Sequence, residues 1–572
     1  MNNIKPLIPA VIVSIVLLLM SQAIPTKSFA DGTALNLIAG LSTEEALRVG
    51  ERMYREGVLS SGEAMQAIVQ GDIPVDSRMF SCMSCHLRSG LGSLEGQVVT
   101  YPIDGITLFK PITNAWNMRW VSGSRYSKAA TGILRSAYND ETLAAAIRGG
   151  VNPDGKTLNY TMPRYPLNDR DMEIMVFYLR NLSARPSPGV VDGDMRFATI
   201  VTEGVSREDI DAMLTPLKTM AGVSKSGNLS KMARLAQASD PDDLMNKGYV
   251  KASLDVWELQ GSEDSWRSQL ESYYKKGPVF ALIGGITKGS WSQIHKFCEE
   301  RKLPCILPIT DLPEISDSDW YTVYFSKGIY QETGAAARYL LGSGGIAEGV
   351  QIIEIYRDNE MGRAAAKSFD EAWEGASDQK IQKVVLSQDE PVTDNLWKKL
   401  LVSNKDTVIV AWLGEKDAAS IKSLPASDSK LKMIFMSSTL LGREMYALPD
   451  KIRKLAYITY PYRLPEDIVR YQPLPAGSAG RNMTLADYKV IRNKANFNLM
   501  LLTKSIFMLK GYYLRDRFLE VTDMMKDELM VPLYPRLSFG PGQRYLSKGC
   551  YIVQLGEGPQ PKVISKSDWV IP

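Results

Sequence analysis

Apolar residues follow a helical spacing in the first third of the chain. The capping box Ser42-Thr-Glu-Glu45 predicts a helix through Glu56. The stretches "DETLAAAIRGG" and "DRDMEIMVFYLRNL" predict two more helices with apolar stripes. A Pro- and Gly-rich linker at residues 184–195 then ends this part. The pattern therefore predicts an all-α unit before the linker.

After the linker, short β-branched or aromatic runs alternate with helical stretches. This alternation is typical of parallel sheets covered by helices, and its length suits two lobes. The fold class predicted for residues 196–572 is therefore a two-lobed α/β domain. The strands are predicted at 196–201, 254–259, 278–284, 304–309, 350–356, 383–387, 407–413, 432–437 and 455–460.

The first thirty residues have the pattern of a signal peptide. Lys5 precedes the apolar run "LIPAVIVSIVLLLM", and small residues at Ser28 and Ala30 predict cleavage after Ala30. An uncleaved anchor is the alternative, but the run is shorter than the ~20 residues of a membrane span. We therefore expect export to the periplasm, no stable membrane span after cleavage, and folded domains at 31–183 and 196–572.

The composition restricts the kinds of partner and metal site that the chain can have. The net charge of +3 gives no indication of a nucleic-acid partner. Histidine occurs only at positions 86 and 295, which excludes multi-histidine metal sites. Among the five cysteines, Cys298 ends a predicted helix and Cys305 begins the next strand. In an exported protein this pair predicts a disulfide, with two buried thiols as the alternative.

The stretch "FSCMSCHLRSG" contains Cys82, Cys85 and His86, the attachment pattern of c-type haem. Its two thiols can add to the two vinyl groups of one porphyrin, and the adjacent imidazole can bind the iron. A thioredoxin-like motif would need a preceding strand, and structural zinc would need a second ligand pair. The sequence predicts one covalent haem c.

The iron needs a sixth ligand, and with histidine scarce methionine is the natural candidate. Most of the 25 methionines fill cores. Met162 differs because it lies in a loop before the last helix of this part and is followed by Pro163. We expect His86 and Met162 to be the axial ligands. That pairing leaves no open iron position and favours outer-sphere transfer of one electron.

These residues resemble a class I cytochrome c domain, on "CMSCHLRSGLGSLEG", the ending "MPRYPLNDRDMEIMVFYLRNL" and the pair Gly50 and Tyr54. The resemblance implies that the first helix crosses the last at Gly50, near Tyr178. It also implies that a carbonyl near Pro102 accepts a hydrogen bond from His86. A periplasmic dehydrogenase, another cytochrome or an oxidase would be the redox partner.

The second domain resembles a type I periplasmic substrate-binding protein of amino-acid and amide importers. The resemblance lies in "GPVFALIGGITKGSWSQIHKFCEERKLPCILPITDLPEIS", "YFSKGIYQETGAAARYLL", "VQIIEIYRDNEMGRAAAKSF" and "KMIFMSSTLLG". It implies two Rossmann-like lobes, a three-strand hinge and a small-molecule ligand in the cleft. Met361 and Ser437 stand where amino-acid binders usually have an aromatic residue and an acid, so an amide, a small acid or an aromatic compound is expected.

Ligands of open parallel sheets bind beyond the carboxyl ends of the strands. This rule selects polar and aromatic residues at or after the predicted strand ends, although many such residues only cap helices. The candidates are Thr287, Ser290, Thr310, Asp311, Asp358, Trp412, Ser437 and Tyr460.

Three functions follow from these predictions. The first is a periplasmic electron carrier whose binding domain docks partners or binds a small molecule. The second is a solute receptor, of an ABC or sensory system, whose haem couples redox state to ligand binding. The third, an electron-accepting subunit of a dehydrogenase, has the least support because the sequence indicates no second cofactor.

Overall fold

The fold was examined in a computed structural model, which describes residues 37–95, 98–114, 131–191, 194–223, 251–342, 349–402, 405–426, 430–468, 489–525, 533–535, 537–538 and 543–572. The predicted signal peptide lies outside these ranges. No helix among the described residues has the length and apolar character needed to cross a membrane. The chain divides into two units. The first contains residues up to Ser84, Leu108–Pro111 and Arg135–Leu182.

The first unit is built on helices whose apolar faces meet. Gly50 lies against Tyr178, because a Cβ atom at position 50 would come within 2.4 Å of the Tyr178 Cβ. The Tyr54 and Tyr178 rings are 5.5 Å apart. The expected crossing of the first and last helices is therefore present. The helices are α1 (Thr43–Glu56), α3 (Asp140–Gly149) and α4 (Asp169–Asn181); the short α2 (Cys82–His86) straddles the division between the units.

The expectation of an all-α unit is wrong in one respect. Strands β1 (Gln66–Val69) and β2 (Ile73–Asp76) form an antiparallel hairpin. Gly71 at the turn has φ +100°, a conformation that glycine adopts without strain. The sequence "QAIVQGDIPVD" has the β-branched residues and the Gly-Asp turn of a hairpin. Helical spacing of apolar residues does not identify such a hairpin.

The second unit contains Cys85–Thr107, Ile112–Leu134 and Ser183–Pro572. It therefore includes part of the chain that the sequence assigned to the first domain. Two short ladders belong to these early segments. They are formed by β3 (Leu94–Glu95) with β4 (Val98–Val99), and by β5 (Ile112–Asn114) with β6 (Thr131–Arg135).

Two largely parallel sheets form the two lobes of the second unit. The sheet of lobe 1 has six strands in the order β12-β11-β10-β8-β7, with β9 also paired to β8. Its strands are β7 (Val190–Val191), β8 (Asp194–Thr202), β9 (Lys251–Leu259), β10 (Ala281–Ile283), β11 (Cys305–Ile306) and β12 (Thr322–Val323).

The sheet of lobe 2 has seven strands in the order β14-β13-β15-β16-β17-β18-β19, and the last two are antiparallel. Together the two sheets confirm the predicted two-lobed α/β fold. The strands of lobe 2 are β13 (Gln351–Arg357), β14 (Ile381–Leu386), β15 (Thr407–Trp412), β16 (Leu431–Ser437), β17 (Ala456–Tyr460), β18 (Tyr551–Leu555) and β19 (Val563–Ser565).

Helices connect and cover these strands. Those between the strands of lobe 1 are α5 (Arg207–Val223), α6 (Glu263–Lys276) and α7 (Ser292–Glu300). The next group is α8 (Ile329–Leu341), α9 (Glu360–Glu374), α10 (Asp394–Leu400), α11 (Ala418–Lys422), α12 (Ser438–Leu441), α13 (Asp450–Arg453) and α14 (Pro465–Ile468). The last are α15 (Val490–Leu509), which packs on α5, and α16 (Arg515–Asp523).

All nine predicted strands are present with shifted ends. The predicted linker is partly wrong, since β7 and the start of β8 pair antiparallel inside it. Arg515 stabilises this region, because its N–H donates to Ser187 Oγ at 3.0 Å and its Nη2 donates to the Pro188 carbonyl at 3.4 Å. A Pro- and Gly-rich stretch can thus contain paired strand residues as well as loop.

Candidate functional site

Among the described residues, three segments of the chain lie between the two lobes. They follow β12, β17 and α16, and backbone hydrogen bonds link them to one another. Tyr324 N–H donates to the Arg544 carbonyl at 2.7 Å, and Ser547 N–H donates to the Phe325 carbonyl at 2.8 Å. Arg463 N–H donates to the Leu533 carbonyl at 2.7 Å. These hydrogen bonds bring the three segments together, as the three-strand hinge implied by the resemblance would require, and we call this place the hinge.

Beside this hinge, the buried carboxylate of Glu332 on α8 accepts hydrogen bonds from three hydroxyl groups. Ser437 Oγ donates at 2.8 Å, Thr459 Oγ1 donates at 2.6 Å, and the Thr439 hydroxyl donates to the other carboxylate oxygen. Burial raises the pKa of Glu332 to about 7, although the hydroxyls act in the opposite direction. The group therefore exchanges its proton near neutral pH.

Glu332 belongs to a group of charged and tyrosine side chains that influence one another electrostatically. Together, Asp311, Glu332, Tyr462, Lys494 and Tyr534 form what we call the hinge cluster. Asp311 follows a strand of lobe 1 and reaches solvent, whereas the other four are buried. The surrounding protein raises the pKa of Asp311, and Lys494 lowers it.

Aromatic rings hold the cluster together. The Phe325 ring stacks on Tyr534 at 5.9 Å, and Tyr462 lies 5.8 Å from Tyr534. Lys494 Nζ lies 5.3 Å from the Phe325 ring centroid, a distance typical of cation–π contacts. A buried ammonium group thus faces aromatic surface next to an acid that solvent can reach. This arrangement suits a small organic molecule with an anionic or polar group.

Three predicted cleft residues of lobe 1 shape loops instead. The Thr202 hydroxyl donates to Thr287 Oγ1 at 3.0 Å, and Gly289 N–H donates to the same oxygen at 3.2 Å. Ser290 Oγ accepts from the Ser292 N–H, and Thr310 Oγ1 donates to the Gly289 carbonyl. These contacts order the loop edges around Asp311.

The structure separates the candidates of lobe 2. Ser437 and the buried Tyr460 end neighbouring strands, and Tyr460 contacts Tyr462 edge to face at 5.7 Å. Trp412 instead packs on Phe369 of α9, and its Nε1 donates to Glu354 at 2.9 Å. The structure therefore places Trp412 in the core of lobe 2. Asp358 forms an exposed ion pair with Arg363 at 2.7 Å.

The sequence prediction missed Glu332, Tyr462, Lys494 and Tyr534. Glu332 lies within a helical stretch, and Lys494 is the fifth residue of α15, so neither follows a strand end. A rule that selects residues at strand ends therefore does not identify these two. The same rule could have identified Tyr462, because it is only two residues beyond the end of β17.

The haem-attachment motif forms the short helix α2, which places Cys82 and Cys85 about one turn apart. His86 Nδ1 lies 2.8 Å from the Tyr101 carbonyl, one residue before the expected Pro102. A hydrogen bond from Nδ1 to this carbonyl leaves Nε2 available to bind iron. The residues present therefore fit a c-type haem. Among the described residues, no group of three or more His, Cys, Asp or Glu side chains is arranged to hold a metal ion.

Met162 lies half-buried in the loop between α3 and α4 of the first unit. Arg164 binds this loop, because its guanidinium donates to the Met162 carbonyl and, at 3.2 Å, to the Leu158 carbonyl. The guanidinium occupies space over Gly150, where a Cβ atom would come within 1.9 Å of Arg164 Nε. These contacts stabilise the conformation of the loop. The role of Met162 as an axial ligand stays a prediction.

Cys298 and Cys305 are buried thiols that are not bridged in the structure. They are close enough to hydrogen bond, and burial, together with that hydrogen bond, raises the pKa of Cys298 well above its usual range. The expected neighbourhood of helix end and strand start is present. The disulfide itself stays a prediction.

A surface cavity of about 560 Å³ lies away from the hinge cluster. Gln351 and Ile381 line it at the amino ends of β13 and β14. Open parallel sheets bind their ligands at the opposite, carboxyl ends. The hinge cluster is therefore the better candidate site.

Comparison with protein families gives one match to this region. Residues 233–467 match the family described as "periplasmic binding protein". This part of the chain is therefore similar to periplasmic binding proteins. The matched residues include Asp311, Glu332 and Tyr462 of the hinge cluster. No curated protein matches the chain.

Solved structures similar to this chain include three ABC-transporter proteins. One is a putative branched-chain amino acid ABC transporter from Rhodospirillum rubrum (12% identity, 66% of this chain and 100% of that chain, TM-score 0.44). Another is a branched-chain amino acid ABC transporter from Thermus thermophilus with bound valine (11% identity, 66% of this chain and 97% of that chain, TM-score 0.45). The third is a fatty acid ABC transporter substrate-binding protein from Thermomonospora curvata (13% identity, 68% of this chain and 95% of that chain, TM-score 0.43).

Proposed function

We propose that the protein is an exported solute-binding protein that carries one haem c. The observation that carries the solute-binding part is the hinge cluster. Lobe 1 contributes Asp311 and Lys494, lobe 2 contributes Glu332, and the three segments of the hinge lie beside them. A solute bound there contacts both lobes, so its binding favours closure about the hinge.

The solute we propose is a small organic acid, an amide or an aromatic compound. Lys494 receives the anionic or carbonyl oxygen, because its ammonium group is the buried cation of the cluster. The rings of Phe325 and Tyr534 contact the apolar part. Asp311 accepts a hydrogen bond from any N–H or O–H group that the solute presents. An ABC permease is the proposed transport partner.

Thermal unfolding with benzoate, propionate and acetamide as probes tests solute binding. A ligand that binds only the folded state at one hundred times its Kd stabilises it by about 2.7 kcal/mol, so Tm rises with probe concentration. We expect Lys494→Met to abolish this rise. Lys454→Met is the control, because Lys454 forms an exposed ion pair with Glu557. If no probe raises Tm and native mass spectrometry detects no copurified solute, the solute-binding proposal is wrong.

The haem is proposed to be held by Cys82 and Cys85 through thioether bonds, with His86 and Met162 as axial ligands. Support comes from the contact between His86 Nδ1 and the Tyr101 carbonyl. A bound haem would supply reversible one-electron transfer. Periplasmic dehydrogenases, cytochromes or oxidases are the proposed electron partners.

A second candidate function is a one-electron carrier whose binding domain only docks partners. The histidine orientation favours it equally, since both functions use the same haem. The midpoint potential with and without a stabilising probe separates them, because linkage requires a coupled solute to shift the potential. An unchanged potential would favour the carrier.

A further inference from the structure

The segment after the haem-attachment motif is anchored through Ser89, which is three residues beyond His86. Ser89 is fully buried, and it donates twice to one carboxylate of α16. Its N–H donates to Glu520 Oε1 at 2.7 Å, and its Oγ donates to Glu520 Oε2 at 2.6 Å. Ser183 Oγ also donates to the Ser89 carbonyl at 2.7 Å. Burial raises the pKa of Glu520 to about 7, while Arg517 and the Ser89 hydrogen bonds oppose that rise. Hydrogen bonds to a charged acceptor are stronger than neutral ones, so this contact is strongest when Glu520 is ionised.

Helix α16 is itself fixed to lobe 1. At its first residue, Arg515 binds the main-chain carbonyls of Val279 and Phe280, which precede β10. Arg517 Nη1 lies 3.5 Å from Glu520 Oε2 and neutralises part of the buried charge. The contact between Ser89 and Glu520 therefore joins the motif segment to a helix that is bound to lobe 1.

The far end of α16 contacts the hinge. Arg544 Nη2 donates to Asp523 Oδ2 at 2.6 Å, and both side chains are buried. The Arg544 carbonyl accepts from Tyr324 N–H at 2.7 Å, which is one of the hinge hydrogen bonds. Glu520 and Asp523 are three residues apart on the same helix. A continuous set of contacts thus runs from Ser89 to the hinge.

A second set of contacts connects the motif segment with Arg544 beside the hinge. The Arg88 guanidinium lies 4.6 Å from the Trp320 ring, and the Arg544 guanidinium lies 4.3 Å from the same ring. Arg88 Nε is also 3.6 Å from Asp516 at the start of α16. Neighbouring residues 88 and 89 therefore both contact residues that support the hinge.

We propose that Glu520 is a positioning residue that fixes the segment following His86 to α16 and thereby links the haem-attachment motif to the hinge. Contact alone does not establish such a link, because coupling requires that a change at one end alters the other. The inference rests on the proposed function for the role of the haem. The link between Ser89 and the hinge is a property of the chain and can be tested whether or not haem is bound.

Hydrogen exchange of the full chain tests the link directly. Glu520→Ala removes both acceptor oxygens, and we expect exchange to rise about tenfold in peptides covering 85–93 and in peptides covering 544–548. Glu520→Gln keeps one acceptor oxygen and should restore most of the protection in both regions. Ser89→Ala leaves α16 intact and should produce a smaller rise in the same two regions, which covers the case in which Glu520→Ala does not fold.

Ser387→Ala and Glu390→Ala are the matched controls. Ser387 donates its N–H and Oγ to Glu390 at 3.0 and 3.1 Å, the same pattern on an exposed part of lobe 2. Neither control should change exchange at 85–93 or 544–548. The inference is overturned if Glu520→Ala and Ser89→Ala raise exchange at 85–93 while 544–548 keeps its wild-type rate, or if neither region changes.

The visible spectrum and the midpoint potential of the same variants separate this inference from the proposed function. If purified protein lacks haem absorption, the cofactor part of the proposed function fails and the exchange data still decide the link. If haem is present, Glu520→Ala should shift the midpoint potential and Ser387→Ala should not. A potential that is identical in all variants contradicts a link that extends to the haem.

Discussion

At the scale of single residues, Glu332 illustrates a site that tertiary structure creates. Its sequence neighbourhood, "IYQETGAAARYLL", has the spacing of a buried helix face and gives no sign of an acid enclosed by hydroxyls. Its three donors come from positions more than one hundred residues away. Ser437 was predicted as a site residue, but its partner could not be predicted. Local pattern identifies strand ends and does not identify what packs against them.

We expect Glu332→Ala to lower the free energy of unfolding by about 1–3 kcal/mol, because the buried hydroxyls of Ser437 and Thr459 and the half-buried hydroxyl of Thr439 lose their acceptor. Glu332→Gln keeps an acceptor oxygen and should cost less. Urea unfolding near pH 6 measures both. Glu444→Ala is the control, since Glu444 forms a surface pair with Lys422. Equal stability of Glu332→Ala and the control would contradict the structural role of Glu332.

The loop that contains Met162 gives a second prediction at this scale. Met162→Ala should abolish the red-end Met–Fe charge-transfer band that this ligation produces. Arg164→Met removes the donors to the Met162 and Leu158 carbonyls, so the band should weaken and added imidazole should displace the ligand faster. Lys156→Met, an exposed change in the same loop, should leave the spectrum unaltered. A normal band in Met162→Ala would refute the axial assignment.

At the scale of elements, strand positions were predictable and strand faces were not. All six residues of β15 are buried, so the run "TVIVAW" identifies a central strand without indicating which face Trp412 occupies. Trp412 faces Phe369 and Glu354, a placement that the uniformly apolar run could not reveal. The two-residue strand β12 was missed because it is too short for a period to appear.

Strand β13 gives a pH prediction, since Glu354 is fully buried at its centre. Burial raises the pKa of Glu354 to about 8, Asp370 adds to this rise and Trp412 opposes it. The folded-state pKa therefore lies above the unfolded value near 4.5. The contribution of Glu354 to stability is complete below that unfolded value and is lost as pH rises through about 8.

The variant Glu354→Gln cannot ionise and retains an acceptor for Trp412. Between about pH 5 and about pH 9, we expect the wild type to lose on the order of 1–3 kcal/mol more unfolding free energy than Glu354→Gln. Denaturant unfolding across this range measures the difference. Glu557→Gln, at an exposed ion pair, should follow the wild-type curve. Parallel curves for Glu354→Gln and wild type would count against a raised pKa.

The connection between α7 and β11 gives a prediction about cysteine chemistry. If Cys298 and Cys305 form a disulfide in the exported protein, an alkylating reagent applied after unfolding without reductant should label Cys550 and neither of that pair. Cys550 is the internal control, because it is equally buried and distant in sequence. Labelling of all three cysteines would show that the two thiols stay reduced.

At the scale of the whole molecule, alternation of strands and helices was enough to predict the two-lobed α/β domain. The division of the chain into units was harder to predict from the sequence, because Cys85–Thr107 belongs to the unit that contains both lobes. Its contacts depend on Ser89 meeting Glu520, residues more than four hundred positions apart. No linker composition or periodicity reports such a contact. Long-range pairing, rather than local propensity, therefore determines where the motif segment belongs.

The most direct test of the central claim is the intact mass of protein exported by cells that mature c-type haem, measured under denaturing conditions. The account predicts a chain that begins at Asp31 and carries the mass of one haem, with Cys82 and Cys85 resistant to alkylation. A chain with no added haem mass and alkylatable thiols at both positions would contradict it.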